Sequence, residues 1–181
     1  MNLDYRFKAF TLRWNNEDAE WEIQWVGEVD GYFCFPLTSS CDLNERHGLT
    51  YFSISLGLKD KPDLDVRISR QKAIKIAKQG VMILTERFRS LKSGSGPPSP
   101  IFAELAITYT NRLFAKPPLP LDIAIDHYDI RLLWVVSFGY EWHPLRFHVE
   151  DGRYRKPLNI RCPSFIIYID AKTGELAGGF F

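Results

Sequence analysis

Ile74, Ala77, Val81, Leu84, Phe88 and Leu91 recur at steps of three and four between residues 70 and 91. That spacing puts all six on one side of an amphipathic helix and obliges the chain to supply a surface that buries them. Ser69 stands where an N-cap belongs, its hydroxyl able to accept from an otherwise unpaired amide of the first turn. Gly80 falls inside the pattern and costs the helix about 1 kcal/mol relative to alanine, which the continuous stripe outweighs. The surface that receives the stripe is read as a curved antiparallel sheet.

The rest of the chain supplies that sheet. In residues 19–29, Trp21, Ile23 and Trp25 alternate with Glu20, Glu22 and Gln24, the period of two that marks a half-buried strand. A preceding strand over 3–14 joins it through "NNED", and Asp30-Gly31 within "EVDGYFCF" makes a hairpin signal. Residues 38–48 read as a polar loop and "LTYFSISLGL", 49–58, as a fourth strand, so residues 1–60 form an antiparallel meander. "KDKPDLD" connects this meander to the helix, and "SGSGPPSP" at 93–100 is a loop by composition. Ser99-Pro100 then opens a second, short helix over 100–114, although the "ITYT" within it favours strand. After "KPPLP", a strand over 129–142 carries Leu132, Trp134, Val136, Phe138, Tyr140 and Trp142 on one face. "SFIIYID" is a buried strand, Thr173-Gly174 a turn, and residues 175–181 a returning strand. The predicted fold is α+β: a curved antiparallel sheet packed against one long helix, with an N-terminal β-meander and a short second helix. A single domain spans 1–181, with 1–60 as the meander and 61–181 as the helix plus sheet.

A formal net charge of +1 gives no general attraction to nucleic acid or to an anionic membrane. No apolar run approaches the roughly 18 residues that span a bilayer, and the N-terminal segment lacks the apolar core of a signal peptide. Cys34, Cys41 and Cys162 are odd in number and flanked by bulky residues, which fits free buried thiols in a reducing cytoplasm better than disulfides. A zinc site from Cys34, Cys41, His47 and Cys162 lacks the paired short spacings such sites use. Asp126-His127, Asp129, His143 and His148 are titratable, yet no nucleophile elbow, metalloprotease motif or phosphate loop accompanies them.

The order "SRQKAIKIAKQ", "LLWVVSFG", "FIIYIDAKTGELAG" resembles PepSY-type domains. Those carry a Thr/Ser-x-x-x-Ala helix and a last strand ending in an Asp-x-x-Thr-Gly-like turn. It is similar also to bacterial immunity proteins of the cystatin-like, nuclear-transport-factor-like fold. The resemblance covers about 66–92 and 130–178 and leaves the first sixty residues unmatched. Together with the missing catalytic, metal and signal-peptide patterns, it implies a cytoplasmic, non-enzymatic binding protein without cofactor or metal, most like an immunity protein that occludes a toxin's active surface. The alternatives it implies are a PepSY-like module that binds or inhibits a peptidase, and a small-molecule-binding cystatin-like domain.

Charge distribution supplies candidate contact residues. Residues 15–30 hold Glu17, Asp18, Glu20, Glu22, Glu28 and Asp30 with no lysine or arginine, whereas 67–92 hold eight basic residues against Glu86 alone. The basic run reads first as the solvated face of the helix. The acidic hairpin, with Glu17, Asp18, Glu20, Glu22, Asp122, Asp126 and Asp129, is the candidate surface for a basic protein partner such as a nuclease toxin.

Overall fold

A computed structural model describes residues 5–15, 20–87, 100–124, 129–138 and 165–181. The described residues fall into two compact units, one up to Lys61 and the other from Pro62 onward, where the sequence also changes character.

The first unit is an antiparallel meander of β1 (Tyr5–Asn15), β2 (Glu20–Val29), β3 (Tyr32–Asn44) and β4 (Gly48–Leu56), each paired with the next. Asp30 and Gly31 both adopt positive φ (49° and 85°) between the paired residues Val29 and Tyr32, the two-residue turn whose twist suits a hairpin. The loop expected over 38–48 is strand as far as Asn44. Its serines misled because pairing on both sides overrides their weak strand preference. The Ser40 and Ser53 hydroxyls bond across the strands at 2.7 Å, and Ser39 Oγ donates to the Ser53 carbonyl at 3.2 Å. Only Glu45, Arg46 and His47 form the connection, where Asn44 Oδ1 accepts the amides of Arg46 and His47. Val26, Val29, Cys34, Leu37, Cys41 and Leu58 are buried. Cys34 and Cys41 are free buried thiols, and burial pushes the Cys34 thiol up to about 11. Trp21 and Trp25 are half-buried. Cys162 lies outside the described residues.

The second unit contains α1 (Arg70–Arg87), β5 (Pro100–Tyr109), a helical turn α2 (Leu121–Ala124), β6 (Ile130–Phe138), β7 (Phe165–Asp170) and β8 (Leu176–Phe180). Strands β5 to β8 pair antiparallel in that order, and α1 packs on one face of them. Ser69 caps α1, its hydroxyl accepting the Lys72 amide at 3.3 Å. Ala73, Ala77, Gly80, Val81 and Leu84 are buried along the helix, with Ile74 packed partly buried beside them. Phe88 and Leu91 lie outside the described residues. The stripe meets Ala103, Val136, Phe138, Phe165, Ile167 and Ile169. Gly80 sits where the helix lies close against the sheet: a Cβ there would lie 2.9 Å from Leu176 Cδ2 and 3.2 Å from Ile167 Cγ2.

The short helix expected over 100–114 is strand β5 through Tyr109. Pairing with β6 and burial of Phe102, Ala103, Ala106, Ile107 and Thr108 prevail over the helix propensity of "AELA". Proline is tolerated as its first residue. In β6, Leu132, Val136 and Phe138 are buried as their alternation implied, and so are the intervening Leu133, Val135 and Ser137. The positions of Tyr140 and Trp142 are not among those described. The closing hairpin matches its reading, with Gly174 at φ 80°. Phe181 packs against Phe165 and Phe180 meets Tyr168 edge-on, with ring centroids 6.3 and 6.1 Å apart.

Candidate functional site

Strand β4 is the first surface of interest. Leu49, Tyr51, Phe52, Ile54 and Leu56 are 60%, 52%, 59%, 51% and 52% exposed, so the strand shows apolar side chains to solvent on both of its faces. Soluble proteins rarely leave such a contiguous apolar surface uncovered unless it binds something. Among the described residues β3 is the only strand paired with β4 within its unit. The Gly57 amide donates to the Pro36 carbonyl, and Leu56 stands opposite Leu37. Backbone direction alternates along an antiparallel strand, so Tyr51, Ser53 and Ser55 turn their N–H and C=O groups toward β3. Phe52, Ile54 and Leu56 turn theirs away from it.

The acidic candidates are distributed unevenly around this strand. Glu20 Oε1 accepts from Thr50 Oγ1 at 3.2 Å and from Asn44 Nδ2 at 3.5 Å, so the acidic start of β2 is tied to the start of β4. Glu22 stands opposite Asp42 on β3, and the register also puts Arg13 of β1 opposite Glu22 and Arg6 opposite Glu28. Basic residues of β1 therefore flank the acidic run, a neighbour the charge count over 15–30 did not include. Glu17, Asp18 and Asp126 lie outside the described residues; Asp122 is in α2, where its side chain is not described. Asp129 belongs to the second unit, paired with Arg131 at 3.0 Å.

Asp129 is one end of a polar network around a cleft of about 290 Å³ lined by Asp63, Asp65, Arg131, Asp170, Lys172 and Thr173 with Ile130 and Leu132. Asp170 Oδ1 accepts the Lys172 and Thr173 amides at 2.9 and 2.8 Å, and Oδ2 accepts from Arg131 at 3.2 Å. Burial would raise the Asp170 carboxyl, but these donors more than reverse that and hold it below the usual carboxylate value. The hydrogen bond that Arg131 donates to Asp129 outweighs burial and raises that guanidinium. Lys172 pairs with Asp63 at 2.5 Å and Arg67 with Asp65 at 2.7 Å, while the Arg67 and Ile68 amides both donate to the Ala171 carbonyl. Trp134 Nε1 donates to the Ile68 carbonyl at 2.8 Å. The network thus fastens residues 63–68 to the β7–β8 turn, and its charges are matched with one another. It contains no histidine, Lys172 is held by Asp63, and the Thr173 hydroxyl accepts the Glu175 amide at 3.2 Å. Among the described residues no group of three or more His, Cys, Asp or Glu is arranged to hold a metal ion, and no helix is long and apolar enough to cross a membrane.

The basic run is partly absorbed by structure. Arg70 Nε donates to the Ala103 carbonyl and Arg87 to those of Leu113 and Ala115, while Lys72, Lys75 and Lys78 are exposed along α1. His47 sits in the exposed β3–β4 turn. Sequence reasoning missed β4 as a surface. Its signal was present, as "LTYFSISL" contains no charge and is apolar at successive as well as alternate positions. A strand buried on both sides looks the same.

The class these features define is an α+β protein with a helix-covered sheet in one unit and a meander with an exposed apolar strand in the other. No protein-family model matches the sequence, and comparison with curated proteins finds no match.

Proposed function

We propose that this chain is a non-enzymatic protein-binding module, and that β4 is where the partner docks. The observation that carries the reading is the exposure of five large apolar side chains on one strand whose far backbone edge is not paired by any described strand of its unit. A partner's extended segment would gain main-chain hydrogen bonds there and bury apolar side chains on both faces, the mode known as β-augmentation. Glu20, tied to Thr50, adds an acidic margin with Asp42 and Glu22, which favours a partner carrying positive charge near its contact segment. In its most specific form the module is an immunity-type protein: β4 and the acidic margin cover the active surface of a basic toxin. The polar cleft supports a small-molecule reading less well, because its charged groups already satisfy one another.

Co-expression with a toxin domain encoded next to this chain tests the proposal. The wild type is expected to restore growth and to co-purify with that domain. Ile54→Asp is expected to weaken the complex at least about 100-fold, since it places an unpaired charge in a desolvated contact worth about 1.4 kcal/mol per tenfold. If no adjacent gene product binds and growth is not restored, the immunity reading is wrong.

A further inference from the structure

An apolar strand whose far edge no described strand of its unit pairs is a hazard to the free protein, since such an edge templates pairing with any other strand. We infer that, when no other partner is bound, β4 is covered by a second copy of this chain, the two β4 strands pairing antiparallel across a twofold axis. The inference rests on β4 being a pairing edge, as the proposed function does, and is independent of whether that partner is a toxin.

Three observations select this occupant. Edge strands that must stay single carry lysine, proline or other charges as blockers, and Gly48–Leu56 contains none. The two ends of the strand differ in charge. Glu20, Asp42 and Glu45 outnumber Arg46 around its start, whereas beyond its end Lys59 and Lys61 offset Asp60 and Asp30, the latter paired with Lys61. Antiparallel pairing sets each acidic start beside the other subunit's Lys59, and parallel pairing would stack the two acidic starts. The side chains are also self-complementary. With Ser53 on the axis, Phe52 stands opposite Ile54 of the second copy and Ile54 opposite its Phe52, aromatic against β-branched, the kind of cross-strand pair that stabilises a sheet. Thr50 then meets Leu56 on the same face. The outward N–H and C=O groups of Phe52 and Ile54 supply the new hydrogen bonds, and Ser53 meets its own copy at a non-hydrogen-bonded position, where Cα atoms come within about 4.5 Å. Such self-complementary twofold contacts are the commonest form of oligomer.

Sedimentation velocity over a wide concentration range is the test, using the full chain, Ile54→Pro, Phe52→Lys and Ser53→Cys. The wild type is expected to be a dimer. Ile54→Pro removes an outward amide and Phe52→Lys keeps every amide but places charges near the axis. Each occurs twice per dimer and is expected to weaken it about 100-fold, about 2.8 kcal/mol. Circular dichroism and melting temperature identify any variant that fails to fold, and Phe52→Lys, at an exposed position, is the one to rely on if the proline variant does. Mild oxidation of Ser53→Cys is expected to give a covalent dimer that the wild type, carrying its native cysteines, does not form. A wild type that stays monomeric overturns the inference while leaving partner binding at β4 intact. So does a dimer that folded Phe52→Lys leaves unchanged and Ser53→Cys does not trap. Loss of toxin binding with an intact, Phe52-dependent dimer would instead overturn the immunity reading alone.

Discussion

Gly179→Ala is expected to be among the most damaging single substitutions in the second unit. Gly179 has φ 145°, which side-chain-bearing residues rarely adopt, and a Cβ there would lie 2.1 Å from the Ile166 carbonyl oxygen. The obstructing atom is backbone near the start of β7, paired on both sides, so it cannot swing away as the end of a side chain could. Gly179 is further fixed by Asn111, whose Nδ2 donates to its carbonyl at 2.8 Å and whose Oδ1 accepts its amide at 3.2 Å. Backbone strain and overpacking together should cost about 3–5 kcal/mol. For a chain of this length that lowers the melting temperature by about 10 °C. Thermal unfolding measured by circular dichroism checks it, and a change under about 2 °C would show that the hairpin does not need this approach.

The second large effect is at Asp170. Asp170→Ala removes the acceptor of two turn amides and one partner of Arg131, in a position where water cannot fully replace it; the expected loss is about 2–4 kcal/mol. Asp170→Asn separates charge from shape, because its amide oxygen can still take the two backbone donors. The folded carboxyl titrates below its unfolded value of about 3.9, so its ionised form stabilises the fold fully above that pH. That contribution is lost as pH falls through the lower, folded value. Denaturant titrations should therefore find wild type more stable than Asp170→Asn near neutrality, with the two converging in acid. A gap that is the same at every pH would mean that the carboxylate's charge contributes nothing.

Much of the fold was legible because period decided it. The stripe on α1, the Ser69 cap, the Asp30-Gly31 turn and the Thr173-Gly174 turn depend on residues within a few positions of one another. The two errors share a cause. Residues 38–44 look like loop and 100–109 like helix when taken locally, and both become strands through pairing partners distant in sequence. Asp170 read as the last residue of a buried strand, but its link to Arg131 on β6 depends on the register between strands. Glu20 and Glu22 were chosen for their sign, and the basic residues of β1 facing that strand appear only once strands are paired. Exposure of β4 was the least legible feature, since alternation reports which residues share a face and never whether anything covers it.

The fastening of residues 63–68 to the β7–β8 turn has a consequence for the order in which the chain can fold. Lys172 reaches Asp63 across 109 positions and Asn111 reaches Gly179 across 68. The meander, by contrast, pairs each strand with its immediate successor. During synthesis the first unit can close its ladder early, whereas the apolar stripe of α1 must wait for β7, which emerges much later. Long-range closure of this kind is intrinsically slow and leaves apolar surface exposed meanwhile. Ribosome-bound chains halted after β6 should accordingly protect the first unit from protease and leave α1 cleavable; protection of α1 at that length would show that β5 and β6 alone can hold it.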